Sequence, residues 1–72
     1  MKKIKKIKIR VNGKVKYISD KYIMSYLVKN LNIPMKKVAI ELNQEIIDKK
    51  KLNNIIIKKN DKIEIVHFIG GG

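Results

Sequence analysis

Of the side chains that carry most protein chemistry, this sequence of 72 residues holds few. It has no cysteine, which excludes a thiol nucleophile, a thiolate zinc site and a disulfide framework; any sulfur chemistry would use sulfur brought from elsewhere. Its one histidine, His67, has no cysteine partner and no carboxylate motif beside it, and reads as a structural or surface residue. The six acidic residues, Asp20, Glu41, Glu45, Asp48, Asp61 and Glu64, stand singly at turns or on strand faces, as caps and solvated positions. No phosphate-binding glycine loop, no G-x-S-x-G elbow and no usefully spaced carboxylate pair is found, and no metal site is implied. What remains is the run Gly70-Gly71-Gly72. Three glycines cannot pack a core, and ordering them is entropically costly. Such a run is open to two readings. It is either a frayed or appended end, or a tail without side chains that threads a narrow channel of another protein and presents the terminal carboxylate of Gly72 to bound ATP.

A tail of this kind needs a folded body to deliver it. Hydrophobic residues make up 44% of the chain and alternate with charge, which places it among globular sequences. Its length suits one domain, 1–69, with 70–72 as a flexible tail, and leaves no room for a large enclosed cavity. The formal charge of +12 is the strongest feature of the composition. A domain this basic is a candidate for nucleic acid or anionic membrane. However, Arg10 is the sole arginine among eighteen basic residues, and the chain is crowded with Lys, Ile and Asn, as an A/T-rich genome would produce. Arginine makes the bidentate phosphate and guanine contacts, and Tyr17, Tyr22, Tyr26 and Phe68 form no evident stacking series. The basic start lacks the apolar stretch of an export signal, and no window approaches a membrane span. A cytoplasmic location and a free monomer are expected.

The pattern of apolar residues sets out the elements. Ile7, Ile9 and Val11 recur with period two from Lys3 to Val11, and Val15 and Tyr17 repeat the pattern from Lys14 to Ile18. Between these strands Asn12-Gly13 signals a hairpin with a type I′ turn. Ser19 and Asp20 are good helix caps, and Ile23, Tyr26, Leu27 and Leu31 make an apolar stripe, predicting a helix over 21–31 that Asn30, Asn32 and Pro34 bring to an end. Val38, Ile40 and Leu42 predict a strand, and Asn43-Gln44 a turn into Glu45-Ile46-Ile47. A single-turn basic segment at 48–52, a short apolar piece at 55–57 and a turn at Asn60-Asp61 lead to a last strand over 62–68. In that strand Ile63 and Ile65 point one way, and Glu64, Val66 and Phe68 the other. The class is α+β, with one main helix packed on one face of a mixed sheet. Val66 and Phe68, on the face the helix leaves open, are candidates for partner docking, or else pack beneath a loop.

The stretch from Val38 to Ile47, and above all the run from Asp61 through Gly72, resembles the ThiS-type sulfur carriers of thiamine biosynthesis, members of the ubiquitin-like β-grasp family. The resemblance extends in element order to the opening hairpin and helix. Gln44 and Asn60 stand where that family often has glycine. The resemblance implies that the last strand lies centrally, between the first strand and the one at 38–42. It implies that the chain is not itself an enzyme. A ThiF-type adenylating enzyme would use ATP and Mg²⁺ to adenylate the Gly72 carboxylate, and sulfur from a donor such as a cysteine desulfurase would convert it to a thiocarboxylate. Thiazole synthase of the ThiG type would receive the sulfur, with Gly70 and Gly71 giving reach. Two alternatives differ from this reading: the small subunit of molybdopterin synthase, which shares the fold and the Gly-Gly thiocarboxylate, and a small basic nucleic-acid-binding domain.

Overall fold

The segment Lys6-Ile7-Lys8-Ile9-Arg10-Val11 alternates charge with aliphatic side chains, so as a strand it has one dry face and one wet face. The computed structural model describes residues 5–68 and forms β1 there, at Lys6–Val11. Ile7, Ile9 and Val11 are buried and the residues between them exposed. Asn12 and Gly13 both take positive φ, 50° and 81°, and return the chain into β2 (Lys14–Ser19). In β2 the side chain that enters the core is Ile18; Val15 and Tyr17 are exposed. The register explains this, since Ile18 lies opposite Ile7 while Tyr17 lies opposite Lys8 and Val15 opposite Arg10.

The helix α1 covers Met24–Leu31, three residues shorter at its start than the sequence suggests. Ser19 and Asp20 do not cap it. Its N-cap is Ile23, in extended conformation and without a side-chain cap bond. Ile23 instead forms an antiparallel bridge with Ile56, in which Met24 N–H donates to Ile55 C=O and Ile57 N–H to Tyr22 C=O, each at 2.8 Å. The bridge supplies a partner for a first-turn N–H that a cap side chain would otherwise serve. The buried residues of α1 are Met24, Leu27 and Val28, with the partly buried Leu31 packed against the same core; Tyr26 is exposed and edge-on to Tyr22. At the other end Asn32 takes φ 54° and its N–H turns back to Lys29 C=O, so the left-handed cap precedes Pro34 as the stop.

After a 3₁₀ turn at Met35–Lys37 come β3 (Val38–Leu42), the short β4 (Glu45–Ile46), a 3₁₀ segment at Lys49–Asn54 capped by Asp48, and β5 (Lys62–His67). The sheet order is β2-β1-β5-β3-β4. β5 runs parallel to β1 and antiparallel to β3, the central position the resemblance implies. Ile9, Met24, Leu27, Ile40, Ile57 and Ile63 are almost wholly enclosed between the sheet and α1. Each such side chain contributes roughly 1.5–3 kcal/mol relative to exposure. One apolar layer therefore joins all the major elements in an α+β architecture with its helix on one face. Among the described residues no helix is long and apolar enough to cross a membrane.

Candidate functional site

The end of β5 is the part of the fold that leads to the glycine run, so its support comes first. Asp61, just before the strand, accepts from Lys58 N–H at 2.7 Å and from the Asn43 side-chain amide at 3.1 Å. Asn43 accepts in turn from Lys62 N–H at 2.9 Å, and its own N–H donates to Lys62 C=O at 2.8 Å. Asn43, Gln44 and Asn60 all take positive φ, where asparagine is better tolerated than most side chains and glutamine is not. Asn60 thus fills a left-handed position of the kind glycine adopts most readily.

On its other side β5 is held by β1 and then by a side chain. Arg10 N–H donates to Asp61 C=O at 3.0 Å and Asn12 N–H to Ile63 C=O at 2.9 Å. One step on, the ladder would end because β1 has turned into its hairpin. There the Asn12 side-chain oxygen accepts from Ile65 N–H at 2.8 Å and extends the pairing by one rung. On the β3 side the pairing continues to Val38 opposite His67, and Phe68 N–H donates to Lys37 C=O at 2.8 Å. The strand is fixed on both sides up to Ile65 and on one side to Phe68.

The open face of the sheet sorts its side chains into rows. Nearest the exit, Val66 (43% exposed) lies opposite Ala39. The next row runs Glu64, Glu41 and Ile46 across β5, β3 and β4. Two of the chain's six acidic residues therefore face each other directly, an arrangement unfavourable for the fold. Ile46, at 74% exposure, is the most exposed of the large apolar side chains among the described residues. Beyond them Lys62 lies beside Arg10, which faces Val15. Phe68, 54% exposed, follows the strand, with the Lys49 ammonium 5.7 Å from its ring centroid. The same ammonium donates to Met35 C=O.

Of the residues the sequence singles out, Val66 and Phe68 lie at this exit and are exposed. Gly70, Gly71 and Gly72 lie outside the described residues. His67 is exposed, and among the described residues no three His, Asp or Glu side chains gather as metal ligands. Ile46 and the Glu41–Glu64 pair escaped the reading of the sequence. Only the β3–β4 and β3–β5 registers put them in one row, although an isoleucine two residues after a turn was a visible signal.

The comparisons with known proteins agree with this geometry. Residues 9–72 match the ThiS family. The sulfur carrier protein ThiS of Bacillus subtilis is 38% identical over 65 residues, covering 89% of this chain and 98% of that protein. A thiazole synthase of Paramagnetospirillum magneticum is 36% identical over 66 residues, but this chain spans only 20% of its length. Among solved structures, the thiamine biosynthesis protein ThiS of Geobacter metallireducens superimposes with a TM-score of 0.80 at 26% identity, covering 92% of this chain and all of that one. With the five-stranded mixed sheet and single helix, these likenesses settle the fold as β-grasp, and the chain belongs to the ThiS family.

Proposed function

We propose that this chain is a sulfur carrier for thiazole formation in thiamine biosynthesis, and that its reactive group is the terminal carboxylate of Gly72. The observation that carries the reading is the placement of β5: a central strand, held on both flanks, whose exit leads directly into the glycine run. Likeness to the Bacillus subtilis carrier over 98% of that protein's length supports it. A carboxylate is a poor electrophile. Transfer of AMP from ATP, with release of pyrophosphate, would supply a leaving group, and a ThiF-type enzyme holding ATP and Mg²⁺ would perform that step. A persulfide sulfur from a donor such as a cysteine desulfurase then displaces AMP at the acyl carbon. Scission of the sulfur–sulfur bond by a thiol leaves the thiocarboxylate, whose sulfur passes to thiazole synthase. The carrier itself catalyses nothing.

Glycines at 70, 71 and 72 suit this role because backbone alone allows close approach of a foreign chain and a phosphate. Val66 and Phe68 would dock the partner enzyme, with Ile46 extending the apolar contact. The Glu41–Glu64 pair, unfavourable in the isolated domain, would be relieved by a basic group on that partner.

Intact-mass measurement tests the proposal. Incubated with its adenylating enzyme, ATP and a sulfur donor, the protein should gain the mass difference between a sulfur and an oxygen atom. Deleting Gly72 should abolish the gain without unfolding the domain. Val66→Lys should slow it about tenfold, as expected for loss of one central contact. An unchanged mass with a demonstrably active partner, or sulfur uptake by the truncated chain, would defeat it. The same spectrum of the native protein shows whether Gly72 is its last residue.

A further inference from the structure

At the end of the sheet remote from the β5 exit lies an open cleft of about 540 Å³. Three stretches far apart in sequence contribute six lysines to its lining: Lys5, Lys6 and Lys8 from the start of β1, Lys21 from the turn after β2, and Lys58 and Lys59 from the loop before β5. Backbone bonds fix these stretches together. Asp20 N–H donates to Lys5 C=O at 2.8 Å, and Asn60 N–H to Lys8 C=O at 2.7 Å. Asp61 closes the 58–61 loop by accepting from Lys58 N–H. Lys21 is held at φ 63°, a conformation a lysine rarely adopts. The floor is apolar, formed by Ile7, Ile57 and the half-exposed Ile56, with the Tyr17 ring at 64% exposure beside it. Asp20 is the one acidic residue in the lining.

A lysine-rich chain would place some ammonium groups in any cleft, so the distribution decides whether this one is special. Two further clefts among the described residues, of about 400 and 370 Å³, have two lysines each: Lys29 and Lys49 in one, Lys14 and Lys16 in the other. Six against two and two is a concentration, and in a volume within the range of small-ligand sites. Ammonium groups act as point charges without the fork geometry of arginine, so a cluster of lysines suits a ligand with many anionic oxygens rather than one planar carboxylate. Gathering six like charges works against the fold, and a polyanion relieves it.

We propose that this cleft binds a polyphosphate chain, the chemistry shared by nucleoside triphosphates and inorganic polyphosphate. β1 and β5 are parallel, so the cleft at the start of β1 and the exit at the end of β5 lie at opposite ends of the sheet. The ligand is therefore not the nucleotide consumed at the carboxylate, and both ends of the domain can be engaged together. Polyphosphate would neutralise the remote end without blocking the exit.

Titration of the full chain with inorganic tripolyphosphate, followed by amide chemical shifts, tests this. The expected result is saturable one-site binding, with shifts confined to Ile7, Tyr17, Ile56 and Ile57 and their neighbours. A parallel ATP titration separates the sources: tighter binding of ATP, with added shifts at Tyr17, assigns a nucleotide; equal or weaker binding assigns inorganic polyphosphate. Two triple variants remove equal charge. Lys6→Gln with Lys58→Gln and Lys59→Gln should raise Kd about tenfold or more, whereas Lys36→Gln with Lys50→Gln and Lys51→Gln should change it by no more than about threefold. All six are exposed, and the same spectra report whether each variant is folded. Shifts scattered over every lysine-bearing surface, equal losses in both variants, or no saturable binding would overturn the proposal.

Discussion

At the residue scale, asparagine takes the part that glycine plays in many turns. Among the described residues, four of the six non-glycine residues at positive φ are asparagines: Asn12, Asn32, Asn43 and Asn60. Asparagine tolerates the left-handed region and also offers an amide, which Asn12 and Asn43 use to hold β5. Gln44, at φ 73°, has the strain and makes no such bond among the described residues. Gln44→Gly should therefore stabilise the fold by about 1 kcal/mol, read as a shift of the urea midpoint at unchanged slope. A loss of stability would show that Gln44 makes an unrecognised compensating contact.

Among the elements, β5 is the one on which the site depends, and Asn12 is its least replaceable side-chain support. Asn12→Ala removes the acceptor for Ile65 N–H and puts a Cβ-bearing residue without a compensating amide at φ 50°; it should cost roughly 2–3 kcal/mol in chemical denaturation. Asn12→Gly keeps the turn and loses only the bond, so it should cost about 1 kcal/mol. Equal costs would mean that the side-chain oxygen contributes nothing. The elements were largely legible in the sequence because their signals are local. Asn12-Gly13 turns where the dipeptide says it should, and the alternation in β1 and β3 matches burial. The helix start was not legible. Ser19 and Asp20 are locally good caps, but the Ile23–Ile56 bridge joins positions far apart in sequence and overrides them. Which face of β2 is buried is likewise set by register with β1, which places Ile18 in the core and leaves Val15 and Tyr17 exposed. The glycine run was visible by the absence of side chains. The acidic row on the open face and the lysine cleft arise only from register and chain crossing, which no single stretch encodes.

For the molecule as a whole, charge is the dominant long-range term. A net +12 on 72 residues repels itself, and much of that charge lies on exposed lysines within reach of screening ions. Raising sodium chloride from about 10 mM to about 200 mM should thus raise Tm by several degrees, measured by circular dichroism, because the Debye length falls from about 30 Å to below 10 Å. A Tm indifferent to salt would mean that the lysines are already neutralised by bound ions or spaced too widely to interact. The parallel pairing of β1 with β5 has a mechanical consequence. Lys6 and His67 sit at opposite ends of these neighbouring strands, so tension applied at Phe68 against the start of β1 slides one strand along the other. The rungs from Arg10 to Ile65 then share the load as a group instead of opening one by one. An enzyme that grips this domain by its end and hauls on it would meet a body that resists being pulled apart.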